Sequence, residues 1–197
     1  MNPTPEPPHP PRIPPVTDPT PEQAEILDKT RINDGPPANV FATMAHHTTL
    51  LKRFNVLGGA FMGRNVLSPR LRELSILRAA HASDCLYEFA QHRRIALDGG
   101  LLDADEIARV VTDARDGWPE QEQAVIDATD ELTAHPYLTD ATWRRLEAFL
   151  DRPQLIELTL LIGFYRGLAG MLNTVGVELD ESLQGPEDST WPSGRTR

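Results

Sequence analysis

The sequence predicts an all-α protein, and three observations carry that prediction. Apolar residues recur at helical spacing from about Ala38 to Asn173, caps and Gly or Pro stops punctuate that stretch, and no segment alternates apolar and polar residues between hairpin turns. At 197 residues the chain can bury one sizeable core and still carry extended tails. The expected division is a proline-rich arm over 1–19, a helical domain over 20–180 and an irregular tail over 181–197.

Ten of the 18 prolines fall within the first 21 residues. Such a segment lacks the donors for a regular backbone ladder and favours polyproline II geometry or disorder. It reads as a tail or as a strap over a neighbouring subunit; recognition by a Pro-binding module is the alternative. Asp18-Pro19-Thr20-Pro21 then opens a short helix to about Leu27, and Asn33-Asp34-Gly35-Pro36-Pro37 breaks the chain. A longer helix is expected from Ala38 to Val56, on Val40, Phe41, Met44, Leu50, Leu51 and Phe54, with Gly58, Gly59 and Gly63 loosening the chain after it.

Ser68-Pro69 supplies a cap and a first-turn proline for a helix from Pro69 to His81. Ser83 or Asp84 caps the next helix, which ends at Gly99-Gly100. Asp103 caps a short helix to Val111, and Pro119 begins one running to Ala134, stopped by His135-Pro136. Thr139 or Asp140 caps a helix through Leu150, and Pro153 starts a last long helix to about Asn173. That helix is apolar around most of its circumference, from Leu155, Ile156 and Leu158 to Leu168 and Met171. A helix of this kind must be covered on all sides, and so short a chain offers little cover. The pattern predicts a homo-oligomer: a dimer, trimer or hexamer.

Composition excludes several function classes. A formal charge of -10 argues against nucleic acid, which demands a basic field. The basic pairs Arg93-Arg94 and Arg144-Arg145 read as solvated helix faces. One cysteine, Cys85, excludes an internal disulfide and makes the cytoplasm the default location. The N-terminus shows no signal-peptide pattern. The apolar stretch Leu155 to Leu172 carries Glu157, Arg166 and three glycines, too interrupted for a membrane span. The expectation is a soluble protein with a small-molecule substrate, no nucleic acid and no membrane partner.

The chemistry gathers on one hairpin. Cys85, Glu88 and His92 are three and then four residues apart, which places a thiol, a carboxylate and an imidazole along one helical stripe. Tyr87 and Gln91, four apart, flank it. On the preceding helix Glu73 sits among Leu74, Ile76, Leu77 and Ala80; a half-buried carboxylate has a raised pKa unless it is paired, here with Arg70 or Arg78. The short loop predicts antiparallel packing that brings Glu73 towards Glu88 and His92. Spacing alone leaves plainer readings open: a structural Glu–His pair, a core cysteine, or a two-carboxylate, one-His metal site. His46 and His47 are adjacent, so about 100° apart on a helix and poorly placed to share a metal. His81 either faces the Cys85 end of the hairpin or finishes its helix near the negative end of the dipole.

The run Leu67-Ser68-Pro69-Arg70-Leu71-Arg72-Glu73-Leu74-Ser75-Ile76-Leu77-Arg78, then Tyr87-Glu88-Phe89-Ala90-Gln91-His92, then Ile95-Ala96-Leu97-Asp98-Gly99-Gly100, resembles the core hairpin of the carboxymuconolactone decarboxylase family. The resemblance implies an alkylhydroperoxidase D-like helical bundle with a central antiparallel helix hairpin. The peroxidatic branch carries a Glu, a Cys-x-x-Cys pair and a His. Glu73 to Cys85 is 12 positions (85 − 73) and Cys85 to His92 is seven (92 − 85), as in that branch. The second cysteine falls at Glu88, so no resolving thiol is present and dithiol cycling is disfavoured.

The decarboxylase branch resembles Glu-x-x-x-His, met here by Glu88 and His92, and implies no metal or organic cofactor. By that resemblance His92 is the proton donor or acceptor and Glu88 and Glu73 tune it. An arginine such as Arg70 holds a substrate carboxylate, while Tyr87, Gln91 and Cys85 line the site. The expected function is a cofactor-independent lyase or proton-transfer enzyme on a small lactone or organic acid. The alternatives are a single-cysteine peroxidase acting through Cys85 and a ligand-binding oligomer without turnover.

Overall fold

The computed structural model describes residues 9–31, 35–63, 65–112 and 116–185. These residues form helices and connecting turns with no strand. In chain order the α-helices are α1 (Pro21–Asp28), α2 (Asn39–Met44), α3 (Thr48–Gly63), α4 (Pro69–Ala82), α5 (Leu86–Asp98), α6 (Ala104–Val110), α7 (Glu120–Ala134), α8 (Asp140–Glu147) and α9 (Arg152–Val175). Single 3-10 turns cover Ala45–His47 and Glu181–Leu183.

Side-chain caps define most of the helix starts. Thr20, Ser68, Asp103, Thr139 and Asp151 each accept a hydrogen bond from the backbone three residues on. Gln23, Glu106 and Gln154 return the bond to the cap residue in reciprocal boxes. α9 ends at Gly176, whose φ of 79° is the left-handed stop that glycine adopts without a Cβ clash.

The bundle is organised around α4, which packs against α5, α7 and α9. Every residue from Arg72 to Ala80 is buried. Ile76 and Ala79 join Leu158, Leu161 and Ile162 of α9 and Val125 of α7 in one cluster, while Leu74 and Leu77 join Phe89 of α5 and Ile107 of α6 in another. The helix covered all round is thus α4, although it carries Arg72, Glu73 and Arg78. α9 instead leaves Ile156 (67%) and Leu160 (52%) exposed within the single chain. By length and composition α9 could cross a membrane. Its other face, from Leu155 through Tyr165 to Leu172, is core.

Two expectations are corrected. Gly58 and Gly59 do not loosen the chain: α3 runs through them, because burial of Leu51 and Phe61 outweighs a propensity cost of about 1 kcal/mol per glycine. Neither Ser83 nor Asp84 caps α5. Ser83 closes α4, Asp84 turns the chain at φ 51°, and Cys85 occupies the cap position without a side-chain cap bond. The arm, where described, lies on its own chain: the amides of Arg12 and Ile13 donate to Val175 O, and Val16 donates to Ala42 O. Of the expected tail only residues 181–185 are described; a 3-10 turn covers Glu181–Leu183, with Leu183 buried.

Candidate functional site

α4 and α5, joined by a three-residue turn, bring Glu73 and His92 together. His92 Nδ1 lies 2.7 Å from Glu73 Oε2, with Glu73 fully buried. The other carboxylate oxygen, Oε1, accepts from Arg72 Nε at 2.7 Å. Burial drives this carboxyl upward, but His92 and then Arg72 outweigh it and hold it below the ordinary carboxylate range. An ionised Glu73 accepts the proton of Nδ1, which leaves the lone pair of the imidazole on Nε2. The partner of Glu73 is Arg72, not Arg70 or Arg78.

Glu88, one turn before His92, behaves oppositely. It is 2% exposed, and neither carboxyl oxygen has a hydrogen-bond partner in the protein. Burial, with no charged or hydrogen-bonding partner to offset it, pushes its pKa well above the ordinary value and favours the protonated carboxyl. The expected Glu88–His92 pair is absent; Glu73 takes that role across the hairpin, because i and i+4 side chains on one helix can both turn into a cavity without touching.

Both residues line a cavity of about 340 Å³ between α2, α3, α5 and α9. Its walls include Phe41, Phe54, Met62, Ile95, Phe164 and Leu168. Tyr165 closes one side, with its ring edge-on to His92 at 4.9 Å between centroids. The Tyr165 hydroxyl donates to Met62 Sδ at 3.4 Å, and burial, with Glu88 and Glu73 nearby, keeps that phenol protonated.

Tyr87 and Gln91 also line the cavity, but their polar ends serve the protein. The Tyr87 hydroxyl accepts from Val40 N (3.1 Å) and from Gln91 Nε2 (3.1 Å) and donates to Asp180 Oδ1 (3.3 Å). Asp180 also accepts from Gln91 Nε2 and, at 2.7 Å, from the Asn39 amide. This clamp ties the segment after α9 to α2 and α5 beside the cavity.

Two expected site residues lie elsewhere. Arg70 bonds Glu106 and Glu122 and donates to Leu101 O at 2.7 Å, which knits α4 to α6 and α7. It is committed to those partners and is not among the residues that line the cavity around His92. Cys85 is fully buried among Val40, Tyr87, Ala169 and Leu172 and is not part of the cavity wall. The cavity's basic residues are His92 and Lys29, and Lys29 is bonded to Glu25 at 2.7 Å. Among the described residues no group of three or more His, Cys, Asp or Glu is placed to hold a metal ion.

Sequence reading missed Arg72, Tyr165 and Asp180. By sequence Tyr165 is one more ring in the apolar stretch of the last helix. Asp180 lies 89 and 93 positions from its partners Gln91 and Tyr87, beyond any local spacing signal.

Residues 48–131 match the carboxymuconolactone decarboxylase family. No curated protein matches the chain. Among solved structures, an uncharacterized peroxidase-related protein from Silicibacter sp. TM1040 aligns with TM-score 0.77 and 15% identity over 92% of this chain and 98% of that one. A second, from Ralstonia eutropha JMP134 and described as an alkylhydroperoxidase core, gives TM-score 0.68 and 22% identity over 83% and 92%. The debrominase Bmp8 gives TM-score 0.71 and 16% identity over 86% and 92%, and a cysteine-to-alanine variant of it is known in complex with 2,3,4-tribromopyrrole. The helical fold is that of the alkylhydroperoxidase D-like proteins.

Proposed function

We propose that this chain, which belongs to the carboxymuconolactone decarboxylase and alkylhydroperoxidase D-like superfamily, is a cofactor-independent proton-transfer enzyme acting on a small lactone or related carbonyl compound. The observation that carries this reading is the 2.7 Å Glu73–His92 contact behind the wall of an apolar cavity that Glu88, buried with both oxygens unpartnered, also lines. Two carboxyls displaced in opposite directions, Glu73 downward behind the imidazole and Glu88 upward at the cavity wall, form a pattern suited to acid–base chemistry.

In this reading His92 Nε2 takes a proton from the carbon next to the substrate carbonyl, and ionised Glu73 stabilises the imidazolium that results. The electron pair of the broken C–H bond moves onto the carbonyl oxygen. Glu88 donates a hydrogen bond to that oxygen, where charge develops. His92 then returns the proton at the same or a conjugated carbon, and nothing is oxidised or reduced. Decarboxylation, the narrower expectation, would start from a carboxylate. Arg70, expected to hold it, is committed to Glu106 and Glu122. That a debrominase of this fold takes a small halogenated ring supports a ring-sized substrate here.

The peroxidase reading needs Cys85 at the cavity, and its burial outside the wall weighs against that role. Assembly into a homo-oligomer is part of the proposal, supported by the uncovered Ile156 and Leu160 on α9. The test is solvent-deuterium incorporation and carbon dioxide release from a panel of lactones and keto acids, followed by NMR with wild type and His92→Gln. Turnover that survives His92→Gln rules out this site.

A further inference from the structure

We propose that the cavity selects an uncharged, ring-sized carbonyl compound over the matching carboxylate, and that Glu88 makes the selection by donating a hydrogen bond to the ligand's carbonyl oxygen. The inference narrows the substrate class of the proton-transfer reading and rests on it for the chemistry, though not for binding.

Glu88 itself is the first ground. Both of its oxygens are buried without a partner, and the residue lines the cavity. A neutral carboxyl has one O–H to give. Leaving such a group unsatisfied carries the full desolvation penalty of the buried donor, and a ligand acceptor in the cavity removes that penalty. An apolar ligand without an acceptor leaves it in place.

Size and lining are the second. Phe41, Phe54, Phe164 and Leu168 present flat apolar surface to a volume of about 340 Å³. An apolar cavity of about 150 Å³ accepts benzene, so this one has room for a substituted ring.

Charge is the third. Lys29 is two-thirds exposed and bonded to Glu25. His92 turns Nδ1 to Glu73, and Arg72 is spent on the same carboxylate. A carboxylate ligand would give up its hydration where Arg72 and Lys29 are already bonded to carboxylates and His92 is turned to Glu73, and a charge buried without its own partner is strongly disfavoured. A carbonyl oxygen needs only the donor that Glu88 holds.

The experiment is calorimetric titration of the full chain with acetophenone, benzoate and ethylbenzene, which share a ring and differ in charge and acceptor, using wild type and Glu88→Leu. Acetophenone should bind wild type at least about tenfold more tightly than either of the others, or about 1.4 kcal/mol. Its advantage over ethylbenzene should vanish in Glu88→Leu. Benzoate binding as tightly as acetophenone, no acetophenone binding at its solubility limit, or an unchanged preference in Glu88→Leu would each overturn the assignment. Deuterium exchange at the acetophenone methyl group, read in the same samples, keeps the two readings apart. The expected binding order without exchange above buffer supports the ligand class and speaks against proton transfer, and exchange with the binding order reversed does the opposite.

Discussion

His92 turns Nδ1 to Glu73 Oε2 at 2.7 Å across the α4–α5 hairpin, and the contact joins residues 19 positions apart. It assigns different states to the two carboxyls of the site. Glu73, between His92 and Arg72, is held below the ordinary carboxylate range, while burial without a partner pushes Glu88 well above it. The cavity wall thereby carries an imidazole oriented from behind by a buried carboxylate and, one turn away, a carboxyl disposed to donate.

Glu73→Gln tests the first of these roles. The amide keeps the shape but loses the charge that holds the proton on Nδ1 and stabilises an imidazolium. On the substrate found by the panel above, kcat should fall by on the order of 10²–10⁴ with KM little changed. A loss confined to KM would show that Glu73 acts in binding instead.

Glu88 gives stability a definite pH dependence. Below the ordinary value of 4.5 the carboxyl is protonated in both folded and unfolded chains. Above it the unfolded chain releases the proton while the folded chain keeps it, so stability falls as pH rises, until the raised folded pKa is passed. Glu73 has the opposite sign: its stabilisation is present above the ordinary range and lost as pH falls through its depressed value. Replacing Glu88 with Gln should therefore raise Tm relative to wild type by an amount that grows as pH rises above the ordinary carboxylate value of 4.5 and levels off once the raised folded pKa is passed. Parallel Tm curves for the two proteins would mean that Glu88 ionises normally.

The fold and the Glu73–His92 pair were legible because their signals are local. Ser68-Pro69, Asp103 and Thr139 announce helix starts, and the short turn after α4 obliges α5 to fold back on it. What escaped was set by tertiary packing. Arg70 and Arg72 look alike in sequence, yet one faces α6 and α7 and the other meets Glu73. Cys85 lies on the stripe of Glu88 and His92 by count, but it begins the helix in place of Asp84, and its side chain packs into the core. Asp180 carries no local cue at all.

Arg70→Met should separate scaffold from site. The guanidinium bridges Glu106 and Glu122 away from the cavity, and its side chain is 35% exposed, so solvent screens the pairs. A loss of about 1–2 kcal/mol in denaturant titration is expected, with kcat/KM per folded molecule within twofold of wild type by the same order-of-magnitude reasoning. A selective rise in KM would return Arg70 to the substrate site.

Cys85, fully buried, should be inert in the native protein. A thiol reagent such as dithionitrobenzoate reacts only with an accessible thiolate. Labelling should be slow in buffer and immediate in urea, and hydroperoxide consumption with excess external thiol should be the same for wild type and Cys85→Ser. Rapid native labelling with a rate that Cys85→Ser abolishes would reinstate the peroxidase reading.

Asp180 closes the side of the site that no sequence pattern marks. One carboxylate receives the Asn39 amide, the Tyr87 hydroxyl and the Gln91 amide, so α2, α5 and the segment after α9 share a single anchor. Asp180→Ala removes three bonds and leaves their donors to water, at about 1–3 kcal/mol. The loss should be local, because α4 and its neighbours pack without Asp180. Hydrogen exchange should quicken at Asn39 and Val40, where the backbone amides lose Asp180 directly or through Tyr87, while α4 amides keep their protection. Ligand affinity should fall with it, since Val40, Tyr87 and Gln91 form part of the cavity wall. Unchanged exchange at Asn39 and Val40 would show that apolar packing alone holds that wall, and Asp180 would then be an ordinary surface carboxylate.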